Sequence, residues 1–336
     1  MKKHMKTALF AALLVLLALF VPSPALMGEM GVTAYGLGTA LSALLAVCLL
    51  HGLRMAEIKK RDAHVGDGPI GVIFRVGALD LALWCIPAAL LLARLGYCLS
   101  RFSFFFLEMG PASVLRLHEG GFKRYGAAAG ALLAAAALAK RKGASVSAVL
   151  DEVAAPGLLA VLVCRLFEGT TTEGVGAWVE HDWQMRFPIS VMNEYGEWQL
   201  AVFLLEAAAA AVILLIVLHE KRGGGERIMT ALLLYAAYQV VLESLRMDGC
   251  LKIGFVRISQ VISAVVIFGV TLLRAYRCGG RRMALARGAV VLACVAVVGV
   301  IEWALDKTPM SNLILYALMI AACAVFAVNG TRMKKE

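Results

Sequence analysis

Charged side chains are scarce in this sequence. Of its 336 residues, 17% are charged and 61% are hydrophobic, and the mean hydropathy is +0.81. A soluble domain of this length needs far more polar surface to stay dispersed in water. The composition therefore excludes a soluble, disordered or fibrous protein and indicates a membrane protein.

The sequence also lacks paired cysteines. Its eight cysteines are scattered singly, with no close pair and no histidine spacing that would gather them around a metal ion. Most of them lie inside apolar runs, where a thiol packs as a small hydrophobic group. The pattern supports neither a disulfide framework nor a zinc site, and we expect no metal and no cofactor.

Long apolar runs, by contrast, are abundant. A helix that crosses about 30 Å of hydrocarbon needs about 20 mostly apolar residues. The candidate spans are residues 7–24, 32–53, 70–94, 124–139, 148–166, 199–218, 228–246, 255–274, 288–305 and 312–329. They predict an all-α polytopic membrane protein with about ten transmembrane helices.

The basic residues follow the alternation of these spans. If the N-terminus is cytoplasmic, every second connection is basic, and so is the C-terminus. These residues are Lys2, Lys3, Lys6, Arg54, Lys59, Lys60, Arg61, Lys140, Arg141, Lys142, Lys221, Arg222, Arg227, Arg274, Arg277, Arg281, Arg282, Arg287, Arg332, Lys334 and Lys335. The positive-inside rule then places both termini in the cytoplasm. The formal charge of +10 therefore reflects topology and does not indicate a nucleic-acid partner.

The first segment has two interpretations. Its basic start, its apolar run and Ser23-Pro24-Ala25 are also typical of a signal peptide. In either case the next helix enters from outside, so the predicted orientation of the rest is unchanged. We favour a retained anchor over residues 1–30.

Ionisable residues near the outer ends of the spans are the first functional signal. Each costs at least about 2.5–3.5 kcal/mol on insertion scales, so each requires a partner or a role. Arg94 closes the third span, Arg165 closes the fifth, and Glu243 with Arg246 closes the seventh. These charges are predicted to lie at one depth of the outer leaflet.

The seventh span places its polar residues on one helical face. Tyr235, Gln239, Leu242, Glu243 and Arg246 recur at steps of three and four residues. That face cannot contact lipid. A buried Glu–Arg pair that joins helices is the alternative to a functional site.

Two outer connections carry further polar residues. Residues 101–124 are basic and aromatic and suit the headgroup layer, although any interfacial helix has this composition. Within them Gly120-Gly121 precedes a predicted helix start, where free backbone N–H groups can receive a phosphate. The connection at 167–198 contains His181, which we interpret as a solvated loop histidine.

Seven short motifs follow one another along residues 32–275. They are Tyr35-Gly36-Leu37, Ala93-Arg94-Leu95-Gly96-Tyr97, Glu119-Gly120-Gly121 with Tyr125-Gly126, Asp151 to Gly157, Arg165-Leu166 with Glu173-Gly174-Val175-Gly176, Tyr235 to Arg246, and Ser259-Gln260 with Ser263. In this order they resemble the prolipoprotein diacylglyceryl transferase family. The resemblance implies a transferase-like membrane core of seven helices at 31–276, one helix before it, and two more at 277–336.

The resemblance also implies a reaction. An enzyme of the bacterial inner membrane moves the diacylglyceryl group of phosphatidylglycerol to the lipobox cysteine of a preprolipoprotein signal peptide. A thioether forms, and glycerol 1-phosphate leaves. The expected partners are therefore phosphatidylglycerol, the signal peptide and membrane lipids, at an active site that faces the outer leaflet.

Residue roles follow from the same resemblance. Arg165 matches the arginine of a Gly-Arg-x-Gly segment, Glu243 and Arg246 match a Glu-x-x-Arg stretch, and Tyr125 stands where many members carry His or Tyr and is expected to orient the thiol or relay its proton. These four residues are the predicted catalytic residues. The predicted substrate-binding residues are Arg94, Tyr97, Gly120, Gly121, Glu173, Tyr235 and Gln239.

This sequence departs from the family pattern at several positions. Gln239 stands where the family carries an arginine, and it brings hydrogen-bond donors without a charge. Ala201-Val202 replaces a Tyr-Glu pair, and Glu168 replaces an asparagine. Two alternatives therefore stay open: a non-catalytic homologue that binds anionic lipid or signal peptides, and a transporter built from inverted repeats. The transporter fits less well, because the ionisable residues cluster near the outer face instead of the midplane.

Overall fold

The computed structural model describes most of the chain. The described residues are 2–20, 34–62, 75–116, 121–171, 173–193, 195–220, 223–247, 252–254, 256–307 and 312–331.

Long helices dominate these ranges. The α-helices are α1 (Lys2–Phe20), α2 (Ala34–Asp62), α3 (Ala78–Ser100), α4 (Arg124–Arg141), α5 (Val146–Glu168), α6 (Val202–His219), α7 (Glu226–Leu245), α8 (Ile258–Lys307) and α9 (Asn312–Thr331). A π-helical turn (Ser103–Glu108) and a 3-10 turn (Pro111–Leu115) follow α3. The short strands are β1 (Ser190–Met192), β2 (Trp198–Leu200), β3 (Lys252–Ile253) and β4 (Val256–Arg257), which form two antiparallel pairs.

The helices confirm the predicted class of an all-α polytopic membrane protein. In the described part of the chain, seven helices are long and apolar enough to cross a membrane, and these are α2, α3, α5, α6, α7, α8 and α9. A shorter apolar stretch, His4–Ala18, lies within α1.

The number of ten spans stays a prediction. Helix α4 occupies the fourth predicted span but is not among the seven, because its 18 residues include basic side chains at both ends. The eighth and ninth predicted spans form one run of 50 helical residues, α8. Gly279 and Gly280 interrupt this run with non-helical backbone, and the φ of +67° at Gly280 is one that glycine adopts without steric cost.

The described contacts group the chain into two compact units, each considered by itself below. Unit 1 comprises residues 1–173 and 218–227 and contains α1 to α5. Its closest packing joins α3 and α4. Gly126 and Gly130, one turn apart on α4, lie so close to α3 that a Cβ at either position would overlap the backbone of Leu92 or Ala88. Small residues at this spacing let two helix backbones touch, which is a common way for helices to associate in membranes.

Helix α1 packs within unit 1. Its Phe10 and Leu17 are buried, and the Lys6 ammonium lies 2.5 Å from the Asp80 carboxylate in the first turn of α3. The interpretation of residues 1–30 as a retained anchor stays a prediction.

Unit 2 comprises residues 174–217 and 228–336 and contains most of α6 together with α7, α8 and α9. Its apolar core joins three helices: Leu233 and Val240 from α7, Ile267 and Val291 from the two halves of α8, and Phe326 from α9. The second half of α8 and all of α9 therefore pack into the same core as the helix that carries Glu243.

The variant Gly130→Ala tests the packing of α3 on α4. The added Cβ would overlap a backbone carbonyl group, which cannot rotate away. Overpacking of this kind costs about 1–3 kcal/mol, so we expect a lower midpoint of thermal unfolding in detergent, followed by circular dichroism. The control is Gly157→Ala on α5, where nothing lies within 4 Å of the added Cβ. Equal midpoints for the two variants would contradict the packing.

Candidate functional site

In unit 1, α3 holds a buried arginine against aromatic rings. Arg94 is 1% exposed, and its Nη2 donates a hydrogen bond of 3.2 Å to the Ser113 carbonyl oxygen. Its guanidinium carbon lies 5.1 Å from the centre of the Phe105 ring and 5.9 Å from that of Tyr97. Ring faces attract cations, and more so where water is excluded. The turns that follow α3 therefore supply both the acceptor and one of the rings for Arg94.

Tyr97 is surrounded by positive charge. Besides Arg94, the cationic groups of Arg101 and Lys123 lie 5.3 Å and 6.0 Å from the centre of its ring. Gly121 makes room for this ring, because a Cβ there would overlap it, and its φ of +74° also favours glycine. The structure thus brings together three of the predicted substrate-binding residues, Arg94, Tyr97 and Gly121. Gly120 lies outside the described residues.

Arg165 is buried at the C-terminal end of α5. It is 3% exposed, and its Nη1 donates to the carboxylate of Glu168, one turn further on and also buried. A cation in the last turn of a helix is also favoured by the unpaired carbonyl groups there. The sequence comparison treated Glu168 only as a departure from an asparagine; the structure shows that it is an ion-pair partner of Arg165.

The surroundings of Arg165 come from α2. Phe167 lies over Gly38, where a Cβ would overlap its ring, and the Cys164 thiol donates to the Ser42 hydroxyl at 3.3 Å. The hydroxyl of Tyr35 lies within the electrostatic field of Arg165 and Glu173. The first motif, Tyr35-Gly36-Leu37, is thereby placed beside the arginine motif.

Tyr125 lies in the first turn of α4 and is partly buried. Its predicted role toward the substrate thiol stays a prediction.

In unit 2, one fully buried charge is one that the sequence analysis missed. Glu206 is 0% exposed within the apolar helix α6. Its Oε2 accepts a hydrogen bond of 3.0 Å from Arg246 Nη1, and its Oε1 accepts one of 3.3 Å from Gln239 Nε2. A lone acidic residue inside an apolar run was a sufficient signal, since the insertion cost applied to Arg94 and Arg165 applies equally to Glu206.

Gln239 and Glu243 share a buried face of α7, as their spacing predicts. Gln239 Nε2 donates to Glu243 Oε2 at 2.9 Å, so a single amide group connects the carboxylates of Glu206 and Glu243. Glu243 Oε1 accepts a hydrogen bond of 2.8 Å from the Ser259 hydroxyl. The Nε2 group of the neutral side chain at position 239 thus bridges two acids.

Arg257 is a second functional candidate that the sequence analysis missed. It ends β4, is 8% exposed, and its Nη1 lies 3.9 Å from Glu243 Oε1. Its Nη2 donates to the backbone carbonyl of Arg246. Position 257 lies just before the predicted Ser259-Gln260 motif, but nothing in its spacing indicated that its side chain would reach Glu243.

A glycine segment holds the end of α7. Gly176 donates its backbone N–H to Leu200 O at 2.8 Å and forms a bridge with Arg246. A Cβ at Gly176 would lie 2.7 Å from Leu245 O and 2.8 Å from Val202 Cγ2. Only glycine fits between the start of α6 and the end of α7, which explains why this motif needs it.

The remaining residues named in the sequence analysis are less buried. Tyr235 is partly buried, and its ring packs edge-on against Tyr238 at 5.0 Å. His181 is exposed, which is consistent with a solvated loop histidine. Hydrogen bonds from Asn193 and Trp178 lower the pKa of the exposed Glu197 carboxyl group.

Within the described ranges, no group of three or more His, Cys, Asp or Glu side chains is arranged to hold a metal ion.

Buried arginines and carboxylates on apolar helices define a polytopic membrane protein with buried polar clusters. The family model for prolipoprotein diacylglyceryl transferase matches residues 24–276, and the chain belongs to this family. The match ends just before the Gly279–Gly280 interruption, so the second half of α8 and α9 lie outside it.

Similar proteins carry one name, phosphatidylglycerol–prolipoprotein diacylglyceryl transferase. The protein of Shouchella clausii is 28% identical over 240 residues, which cover 69% of this chain and 84% of that protein. The protein of Bacillus licheniformis is 27% identical over 259 residues, or 75% and 90%. That of Thermosynechococcus vestitus is 26% identical over 242 residues, or 67% and 82%.

The variant Gly176→Ala tests the link between this segment and Arg246. The added methyl group would push the end of α7 away, and a displacement of about 1 Å at a reacting group can cost about a hundredfold in rate. We therefore expect about a hundredfold lower transferase activity in membranes, with the protein still folded. The control Gly299→Ala on α8 adds a Cβ with nothing within 4 Å and is expected to stay active. Full activity of Gly176→Ala would contradict the role of the segment.

Proposed function

We propose that the protein is a phosphatidylglycerol:prolipoprotein diacylglyceryl transferase of the bacterial inner membrane. The thiol of a lipobox cysteine attacks the glyceryl carbon that carries the phosphate. A carbon–sulfur bond forms, the carbon–oxygen bond breaks, glycerol 1-phosphate leaves, and the thiol proton is released. Membership of the family and the names of its relatives support this reaction.

The observation that carries the proposal is the burial of three arginines that the family pattern singled out. Arg94, Arg165 and Arg246 are 1%, 3% and 3% exposed. Burying a guanidinium group costs several kcal/mol even when it is paired, so packing alone is a poor reason to retain three of them. An anionic lipid substrate gives them a reason.

The chemistry requires such groups. Cleavage of the carbon–oxygen bond leaves negative charge on the phosphate, which guanidinium groups stabilise by paired hydrogen bonds, most strongly where water is excluded. We assign this role to Arg165, with Arg94 and Lys123, whose cationic groups lie at the ring of Tyr97, as the groups that attract the anionic headgroup. Arg165 is already oriented by Glu168, so little ordering is needed when the phosphate arrives.

The substrate thiol needs a proton acceptor, because a thiol with a pKa near about 8.5 is mostly protonated at neutral pH. Tyr125 is the residue that the family pattern offers for this step, and we propose the buried carboxylate of Glu243 as a second candidate. Glu243 accepts hydrogen bonds from Gln239 and Ser259.

In the proposed topology both termini are cytoplasmic, and the site opens to the outer leaflet.

Complementation tests the function. The protein is expressed in bacterial cells depleted of their own transferase, and a reporter lipoprotein is analysed by mass spectrometry. We expect the mass increase of a diacylglyceryl group. Good expression without this increase would contradict the proposal and would favour a non-catalytic homologue that binds anionic lipid or signal peptides, the alternative that the uncharged Gln239 suggests.

Two variants test the site in the same cells. Arg165→Ala is expected to abolish the mass increase, because removal of a preorganised donor to the developing charge costs about a hundredfold or more. His181→Ala is the matched control on an exposed loop and is expected to leave the product unchanged. A modified lipoprotein with Arg165→Ala at normal expression would remove Arg165 from the site.

A further inference from the structure

Glu302 lies outside the segment that matches the family model, yet it contacts the polar cluster of unit 2. It belongs to the second half of α8 and is 9% exposed. Its Oε1 accepts hydrogen bonds from Gln260 Nε2 at 2.5 Å and from the Ser244 hydroxyl. Both donors are neutral. Met319 of α9 contacts the same Ser244 hydroxyl at 3.7 Å, so both C-terminal elements reach this point.

The bond from Gln260 to Glu302 fixes the orientation of the Gln260 amide group. Its nitrogen donates to Glu302 and to the Val240 carbonyl oxygen, which only accept hydrogen bonds. Its oxygen accepts a bond of 3.0 Å from the backbone N–H of Arg257, which only donates. Reversing the amide would place like groups against each other on both sides. Glu302 is therefore connected to the backbone of Arg257 through one buried amide, whose orientation it fixes together with the Val240 carbonyl group.

Arg257 has hydrogen-bonding capacity to spare. Its Nη2 is used by the Arg246 carbonyl oxygen, whereas its buried Nη1 makes no hydrogen bond within the described residues and lies 3.9 Å from Glu243 Oε1. A guanidinium group carries five donors, and those left over inside a protein are costly unless a ligand accepts them. The acids Glu206 and Glu243 therefore have two guanidinium groups near them, that of Arg246 and that of Arg257.

Stability alone does not account for this arrangement. A buried carboxylate with two neutral donors is expensive, and an apolar residue of similar volume would usually be as stable or more so. We propose that Arg257 binds the phosphate group of an anionic lipid and that Glu302 is its positioning residue, acting through Gln260. This inference rests on the proposed function for the identity of the lipid. It gives the C-terminal elements a part in the site.

A double-mutant cycle on the full-length protein tests the proposal. The rate of diacylglyceryl transfer to a lipobox peptide is measured against phosphatidylglycerol concentration in detergent. We expect Arg257→Ala to lower kcat/KM about a hundredfold, as for loss of a charge-stabilising donor. Glu302→Leu is expected to lower it about tenfold, the size of coupling between contacting residues. In the Arg257→Ala background, Glu302→Leu should cost nothing further.

Two comparisons separate a positioning role from a purely structural one, and a substitute variant is available for Arg257→Ala. Glu302→Gln keeps an oxygen that accepts from Gln260 and Ser244, so it should restore most of the activity lost in Glu302→Leu. Ile301→Ala, a buried neighbour on the same helix, should lower the thermal midpoint but leave kcat/KM nearly unchanged. Arg257→Gln takes the place of Arg257→Ala if the alanine variant does not accumulate. Equal losses from Glu302→Leu in both backgrounds would overturn the proposal.

A binding measurement distinguishes failure of this inference from failure of the proposed function. Binding of phosphatidylglycerol and of zwitterionic phosphatidylcholine to the same proteins is compared by native mass spectrometry. Even if the wild-type protein transfers nothing, Arg257→Ala and Glu302→Leu should weaken binding of the anionic lipid selectively, and not additively. Unchanged binding of phosphatidylglycerol to both variants would refute a role for Arg257 at the phosphate.

Discussion

The ion pair between Glu206 and Arg246 is the constraint on which the polar cluster of unit 2 depends. Glu206 has no exposed surface and lies in the second turn of an apolar helix. Removing one partner of such a pair leaves an uncompensated buried charge, which costs about 3–5 kcal/mol. The rotation of α6 about its own axis is therefore fixed relative to the end of α7, and with it the positions of Gln239 and Glu243. Gly176 supports the same contact from the backbone, because no side chain fits between the two helices there.

Both units pair buried charges, and unit 1 also uses aromatic rings. In unit 1, Arg94 is placed against aromatic rings and a carbonyl oxygen, whereas Arg165 is paired with the carboxylate of Glu168. In unit 2, the carboxylates of Glu206 and Glu243 face guanidinium groups directly and share the Gln239 amide.

Much of this could be predicted from the sequence, because hydrophobic length and helical spacing are local properties. The apolar runs gave the membrane helices, and the three- and four-residue steps of α7 gave the buried face of Gln239 and Glu243. The break at Gly279–Gly280, the partner of Arg246 and the role of Arg257 could not be read in this way. They depend on which helices are neighbours and how each is rotated. Glu302 illustrates the limit: at the end of an apolar run it has the pattern of an interface residue, and only its contact with Gln260 shows otherwise.

The glycine contacts between α3 and α4 also bear on how a lipid can reach the site. Where two backbones touch at Gly126 and Gly130, no side chain remains that could swing aside and open a gap. A loosely packed contact between two helices can open for hydrocarbon tails, but the contact between α3 and α4 is closely packed and leaves no such opening. Hydrocarbon tails are therefore not expected to enter between α3 and α4 at this level.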